Sequence, residues 1–337
     1  MMNLMRIFSW IRLIRCLTFR RSWNFLKNYA SYSISQWFDR YIHWGFPWTL
    51  SIEASGICNL HCPECPVGSH SLTRSAGLLR LHDYAQWLDE SSPELFYLIL
   101  YFQGEPLLNE DFAAMVKMAH QKRIYTITST NAHFLTSELS ENIIMAGLDE
   151  IVISLDGTDS LTYEKYRKGG SFDKATEGIR QLVAARKRSN RKNPFIRLQF
   201  IVMKHNQHQI NKIQSLGKQL GVDAVELKSA QIYSPGDENG LLTDIPEFAR
   251  YIKGEDSLLL MKNRRKRGCR RMWQGSVITW DGRLIPCCYD KDAVHSYGLL
   301  DSSTQVKTIW TSPNATIFRQ NVMKSRDVYE ICRNCGE

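Results

Sequence analysis

The chain has 337 residues, with 43 Lys+Arg against 34 Asp+Glu, a net charge of +9 and 43% hydrophobic residues. That is enough for one large α/β domain and a smaller module, and too apolar for a disordered protein. There is no low-complexity tract, no repeat of fixed period and no apolar run long enough to span a bilayer.

Residues 1–47 read as a separate basic segment. Arg6, Arg12, Arg15, Arg20, Arg21, Lys27 and Arg40 stand there against one acid, Asp39. Leu4, Ile7, Trp10, Ile11, Ile14 and Leu17 recur at helical spacing, with Arg6, Ser9, Arg12 and Arg15 on another face. Two readings fit: a helix packed on its own domain, or a cationic amphipathic helix lying in a membrane interface. The segment lacks the uninterrupted apolar stretch and cleavage site of a signal peptide.

From Trp48 onward, strand and helix patterns alternate. Trp48–Ala54, Phe96–Phe102, Ile124–Ser129, Glu150–Ser154, Ile196–Met203 and Ala224–Leu227 read as short buried strands. Leu81–Glu90, Asp111–Arg123, Thr136–Ala146, Phe172–Arg188 and Gln207–Leu220 read as helices between them. This order predicts a parallel sheet with right-handed crossovers, as an open sheet or a partial (β/α)6 barrel over residues 48–230. Either form places its active site at the C-terminal strand ends.

Residues 231–265 carry Pro235, Gly236, Gly240 and Pro246 and read as a connector. Residues 266–337 include a hairpin, Ser276–Trp280 and Arg283–Cys287, turning at Asp281-Gly282. This stretch has little core of its own, so a metal centre would supply the missing cross-links. Residues 261–271 hold the second basic run, Lys262, Arg264, Arg265, Lys266, Arg267, Arg270 and Arg271, with no acid.

Nine cysteines are odd and modest for this length, which argues against a disulfide scaffold. Cys58, Cys62 and Cys65 form one group, and Cys269, Cys287, Cys288, Cys332 and Cys335 another; Cys16 stands apart. Clustered thiols in a large chain point to metal ligation. Cys58-Asn-Leu-His-Cys62-Pro-Glu-Cys65 offers three thiolates directly after the first strand. Structural zinc wants four ligands, whereas a [4Fe–4S] cluster held by three leaves one iron open to another ligand.

This C-x3-C-x2-C run resembles the signature of the radical S-adenosylmethionine (SAM) superfamily. The resemblance implies that the open iron binds the amino and carboxylate groups of SAM. It also implies reductive cleavage of SAM to a 5′-deoxyadenosyl radical that abstracts a substrate hydrogen. Glu64 stands where many members have an aromatic residue. Gln103-Gly104-Glu105-Pro106 resembles the family's Gly-Gly-Glu-Pro motif, so Gly104 and Glu105 would receive the SAM ammonium. Ser129 and Asn131 end the third strand and Ser154 and Asp156 the fourth. By resemblance, Asn131 would contact SAM polar groups, Ser154 and Arg167 its carboxylate, and Asp156 ribose or substrate hydroxyls. Each also has a plainer reading as a strand-end cap, turn or surface charge. No residue is singled out as a catalytic acid or base.

Cys269, Gly282 and Cys287, followed by Cys332-Arg-Asn-Cys335, resemble the SPASM/twitch extension of the same superfamily. Four cysteines, Cys269, Cys287, Cys332 and Cys335, would hold one auxiliary [4Fe–4S] cluster. Whether Cys287 or Cys288 is the ligand stays open; the glycine spacing favours Cys287. Zinc is the competing metal, since four thiolates also suit it. The basic run flanking Cys269 has three readings: a solvated patch, an offset for cluster charge, or a receiver of an anionic substrate. No nucleic-acid recognition motif accompanies it, and nucleic acid is not an expected partner.

The resemblance implies an oxidoreductase-type radical SAM enzyme. Its auxiliary cluster would accept the electron left on the substrate radical, for a net two-electron oxidation. A reducing electron donor such as flavodoxin or ferredoxin is implied with it. Alternatives are a peptide or protein maturase, modification of a membrane-associated glycan or lipid precursor, and a non-enzymatic iron–sulfur or zinc protein. Oxygen-sensitive clusters and free thiols suit a cytoplasmic protein, peripheral to the membrane if residues 1–47 bind there.

Overall fold

The structure is a computed structural model that describes residues 11–233, 236–253, 259–262, 266–333 and 335–336. Leu4, Arg6, Ile7, Ser9, Trp10, Pro235, Arg264 and Arg265, which the sequence singled out, lie outside the described residues. Six parallel strands, β1 (Thr49–Ile52), β2 (Tyr97–Ile99), β3 (Tyr125–Thr130), β4 (Glu150–Ser154), β5 (Phe195–Val202) and β6 (Ala224–Ser229), pair in sequence order. Helices α2 (Leu81–Ser91), α3 (Phe112–Gln121), α4 (Ser137–Ala146), α6 (Phe172–Arg188) and α7 (Ile210–Leu220) match the predicted crossovers. A short helix, α5 (Ser160–Tyr166), follows β4 and was not predicted.

Alternation along the strands explains the layering. Ile151, Ile153, Ile196, Leu198, Phe200 and Val202 are fully buried in one core with Ile143, Ile144, Ile179 and Leu182 of α4 and α6. The opposite face is polar: Arg197 bridges Glu150 at 2.5 Å and Glu226 at 3.4 Å across three neighbouring strands. Ser129, Ser154 and Gln199 share that face by parity, Ser154 pairing with Gln199. A cavity side and a core side are therefore written into each strand.

The partial barrel does not close; β6 is one edge of the sheet. Beyond β1 the sheet continues into the C-terminal segment, where β9 (Gly275–Ile278) pairs parallel with β1. Next come antiparallel β10 (Arg283–Ile285) and β11 (Gly298–Leu299), giving nine strands in one sheet. The predicted hairpin is present, and its turn needs Gly282: φ is +89° and a Cβ would lie 2.7 Å from the Leu300 carbonyl oxygen. The segment expected to have little core of its own shares the barrel's. Met272, Trp273, Leu284, Trp310 and Phe318 join the cluster that contains Leu50 and Leu98. Helices α8 (Arg271–Gln274), α9 (Val306–Trp310), α10 (Pro313–Lys324) and α11 (Glu330–Arg333) complete it.

The stretch read as a connector carries secondary structure among its described residues. There β7 (Tyr251–Lys253) pairs antiparallel with β8 (Leu259–Met261). Tyr251 joins Leu60, Cys62, Tyr166, Met203, Ile232 and Leu241 in a second apolar cluster, so this stretch roofs the first cysteine loop.

The N-terminal segment is also bound into the fold. Residues 11–15 are helical, and after a break Thr18 caps α1 (Phe19–Phe38) by accepting from the Arg21 amide at 3.3 Å. Arg21 is buried and donates to the carbonyls of Ser92, Lys122 and Arg123. These are the unpaired C-terminal ends of α2 and α3, where a cation is most favourable. Asn24 and Asn28 donate to the Phe46 carbonyl at 2.9 Å, and Arg12 pairs with Asp149 at 2.5 Å. Phe46 precedes β1, Asp149 precedes β4, and Phe25 packs on Trp48 and Phe96. Thus α1 lies across the N-terminal strand ends, opposite the end where an active site is expected.

Candidate cofactor site

The three early cysteines lie in the loop that leaves β1 at its C-terminal end. Gly104 shapes this loop from the next strand: its φ is +67°, and a Cβ would lie 2.4 Å from the Ser55 carbonyl oxygen and 2.6 Å from that of Ile57. The Glu105 amide donates to the Ile57 carbonyl at 2.7 Å, and Ile57 immediately precedes Cys58. Glu105 is itself buried, and its carboxylate accepts from the Thr130 hydroxyl at 2.7 Å, the Asn131 amide at 2.8 Å and the Leu107 amide at 3.1 Å. Burial raises its pKa, and these donors oppose that. As placed, Glu105 ties the ends of β2 and β3 together.

Asn131 turns back to the cysteine loop. Its side-chain amide donates to Asn59 Oδ1 at 2.8 Å and lies 4.0 Å from Cys58 Sγ. Arg167, capping α5, reaches the same loop from the other side, with Nη1 3.8 Å from Cys62 Sγ. Its Nε and Nη2 donate to Asp156 Oδ2 at 2.7 and 2.5 Å, while Asp156 Oδ1 accepts from the Ile201 amide at 2.7 Å. Burial works against the charge on Arg167, but Asp156 and Cys62 outweigh it and hold the guanidinium cationic. Asp156 therefore serves Arg167 directly. Ser129 and Ser154 lie on the polar sheet face at the C-terminal ends of β3 and β4.

Glu64, the departure from the usual aromatic, has a structural partner. Its carboxylate accepts from the Tyr233 amide at 3.1 Å and from Asn239 Nδ2 at 2.6 Å, pinning the roof onto the cysteine loop.

Among the late cysteines, Cys269, Cys332 and Cys335 lie close enough to affect one another, and Cys287 senses Cys269 and Cys332. Cys288 lies beside Cys287 and has further partners: Arg271 Nη1 donates to its sulfur at 3.2 Å, and its neighbours include Tyr101, Tyr233 and Lys291. Buried Arg326 lies against Cys269, Cys332 and Cys335. The basic run flanking Cys269 instead meets α1, with Arg267 Nη1 2.9 Å from Asp39 and Arg270 5.5 Å from the Tyr29 ring centre.

Two cations that pattern reading missed lie between the cysteine groups. Lys291 sits over the rings of Phe102 (4.9 Å) and Tyr233 (5.9 Å). Burial lowers its pKa, and Cys288, Cys65, Cys287 and Glu53 pull it back up. Arg74 and Glu53 form a buried pair at 2.5 Å; Glu53 also accepts from the Trp280 amide, and Arg74 Nε donates to the Lys291 carbonyl at 2.8 Å. Nothing in the local sequence marks either residue, since a lone Lys or Arg is ordinarily a surface charge.

The donor chemistry suits iron–sulfur clusters. Burial raises Cys58 to about 11 and Cys332 to about 12, and raises Cys62 and Cys269 as well, so without a metal these thiols keep their protons, and ligation would release them. A guanidinium stands beside each group, Arg167 at Cys62 and Arg326 at the late cysteines. Among the described residues, no three His, Cys, Asp or Glu side chains converge tightly enough to hold one ion. Three cysteines in one loop and four more in a second group suit [4Fe–4S] clusters, whereas structural zinc normally takes four ligands at one site.

Residues 52–203 match the radical SAM superfamily, and residues 269–336 match the SPASM iron–sulfur cluster-binding domain. The two matches together span more than half of the chain, which belongs to the radical SAM superfamily and carries a SPASM-type C-terminal domain. Its cofactors are SAM, a SAM-binding [4Fe–4S] cluster and an auxiliary iron–sulfur cluster.

Among curated relatives, the AdoMet-dependent heme synthase of Methanosarcina barkeri is 27% identical over 57% of this chain, and the match spans 53% of that relative, about half its length. The tungsten-containing aldehyde ferredoxin oxidoreductase cofactor-modifying protein of Pyrococcus furiosus is 24% identical over 85% of this chain and 86% of its own. A solved structure, anSMEcpe with bound AdoMet, superposes with a TM-score of 0.61 at 17% identity, covering 86% of this chain and 85% of that one. That likeness is one of fold. No helix among the described residues is long and apolar enough to cross a membrane.

Proposed function

We propose that this radical SAM enzyme abstracts a hydrogen atom from its substrate and carries out a net two-electron oxidation. When bound, SAM and its cluster would supply the abstraction, and the auxiliary cluster would supply a one-electron acceptor. In this reading Cys58, Cys62 and Cys65 hold the first cluster, and Cys269, Cys287, Cys332 and Cys335 the second. The pairing of Cys288 with Arg271, and the influence of Cys269 and Cys332 on Cys287, support Cys287 as the ligand. Flavodoxin or ferredoxin serves as reductant.

The observation that carries the reading is the Asp156–Arg167 pair aimed at Cys62, with Asn131 at Cys58. Two successive strand ends thus deliver a fixed cation and an amide to the three-cysteine loop, where a carboxylate-bearing ligand of the open iron would sit. Gly104, Glu105, Ser129 and Ser154 complete the SAM-side set, Gly104 and Glu105 by shaping the loop. Lys291, between the cysteine groups, supports an anionic substrate. The names of the curated relatives point to unlike substrates, heme synthesis in one and cofactor modification in another, so none is transferred. A peptide or a glycan or lipid precursor remains the competing substrate class. A peripheral position at an anionic membrane, through the N-terminal segment, belongs to the same reading.

Anaerobic reconstitution tests it: about eight irons per chain are expected from two clusters. Reduction in the presence of SAM should then release 5′-deoxyadenosine. An intact sample with that iron content that releases none refutes the radical chemistry. Cys58→Ala should abolish release, whereas Cys332→Ala should lower the iron content by about half.

A further inference from the structure

Helix α1 is built inside out. Arg21, Asn24, Asn28, Ser31 and Ser35 face the protein and are buried. At about 100° per residue, Phe19, Trp23, Leu26, Ala30, Ile34 and Trp37 form one stripe on the opposite side. Much of that stripe faces outward: Phe19 is 86% exposed, Trp37 78% and Trp23 55%, and the neighbouring Phe38 is 72% exposed. Ile14 and Leu17, just before the helix, continue the exposed apolar surface. Six large exposed apolar side chains within twenty helical residues are not a fold requirement, because the polar face already makes the contacts that dock α1.

The surroundings say what covers this face. The two basic runs, far apart in sequence, meet here. Arg20, paired with Glu94 at 2.6 Å, and Lys27 flank the stripe on one side. On the other stand Arg267, paired with Asp39, and Arg270, over Tyr29; Gly268 lies against Gln36 of α1. Arg15, Lys27 and Arg40 have no carboxylate partner among the described residues. A Trp- and Phe-rich stripe between cationic margins is the pattern of a helix lying in the headgroup layer of an anionic bilayer.

We infer that α1 docks the protein flat on an anionic lipid surface, with Trp23 and Trp37 in the headgroup layer and the basic margins against lipid phosphates. This gives the peripheral position proposed above a defined surface, moved from residues 4–17 to residues 19–38. It also sets orientation. Because α1 lies across the N-terminal strand ends, the cofactor loop at the other end faces away from the bilayer. The surface is a tether.

Sedimentation of the full chain with vesicles tests this, using phosphatidylcholine alone or phosphatidylcholine doped with phosphatidylglycerol. Pelleting is expected with the anionic vesicles, little with the neutral ones, and less as salt rises. Trp23→Ser combined with Trp37→Ser should weaken pelleting at least about tenfold, and Lys27→Glu with Arg40→Glu likewise. Both variants should keep the parent's iron content and 5′-deoxyadenosine release, which separates lost lipid binding from lost folding. Vesicle binding needs no turnover, so failure of the radical chemistry would leave this result standing. Absence of pelleting, or equal pelleting of parent and variants, overturns the inference. So does a dimer in sedimentation velocity that the tryptophan variant dissolves, which would assign the face to a second copy.

Discussion

At the scale of single residues, the site rests on cations whose charge is held by a buried partner. Arg167 keeps its aim because Asp156 binds it through two nitrogens while the Ile201 amide fixes Asp156. Losing a charged hydrogen bond of this kind costs roughly 1.5–3 kcal/mol. Arg167→Met and Asp156→Asn should therefore cut 5′-deoxyadenosine release at least about tenfold with iron content unchanged; equal release would show that neither group serves SAM. His43 makes a different demand. It lies among Trp273, Trp310 and Tyr41, and burial with Arg319 nearby lowers its pKa to about 3. The folded protein thus holds it neutral while the unfolded chain takes a proton near 6.5, so stability present above that pH is lost as pH falls toward 3. The slope is roughly 1.4 kcal/mol per pH unit, and His43→Phe should flatten it in urea titrations between pH 6 and 4. Cysteine spacing and strand-end position single out Cys58, Asn131 and Asp156 in the sequence, though not the pairing of Asp156 with Arg167. Arg326 and Lys291 are not singled out, because a lone cation acquires meaning only from what folding places beside it.

At the scale of elements, apolar periodicity found what buries an apolar face. The strands and crossover helices over 48–230 follow from it, and α6 coincides with its predicted span, Phe172–Arg188. Helix α1 escaped because its buried face is polar, and pattern reading looks for the reverse. The seven-residue α5 and the short β7–β8 pair are too brief to show a period. Glu64 shows how such pieces are held. Removing its carboxylate frees the Tyr233 amide and Asn239 and so loosens the roof over Cys62. Glu64→Ala should raise hydrogen exchange of the described residues in 230–242 and speed oxygen-dependent loss of the first cluster. Exchange like the parent's would show that the apolar cluster alone holds the roof.

At the scale of the whole molecule, one sheet serves both cofactor regions. The sequence suggested two modules joined by a connector, because composition and cysteine spacing do change after Leu227. Pairing partners are invisible to composition, and β9 on β1 is such a pairing. The Glu53–Arg74 pair and the contacts of Asp292 with Thr73 and Arg74 fasten the same seam at the strand ends. The β1–β9 pairing has a consequence for biosynthesis. On a ribosome β1 emerges before β9, and one of its two hydrogen-bonding edges must wait for Gly275–Ile278 far downstream. Such sequence-distant pairing is slow and leaves an exposed edge open to wrong partners meanwhile. Nascent chains arrested before Gly275 leaves the exit tunnel should therefore be digested at β1 by a protease that spares the released protein. Equal resistance of arrested and released chains would show that the first six strands close on their own.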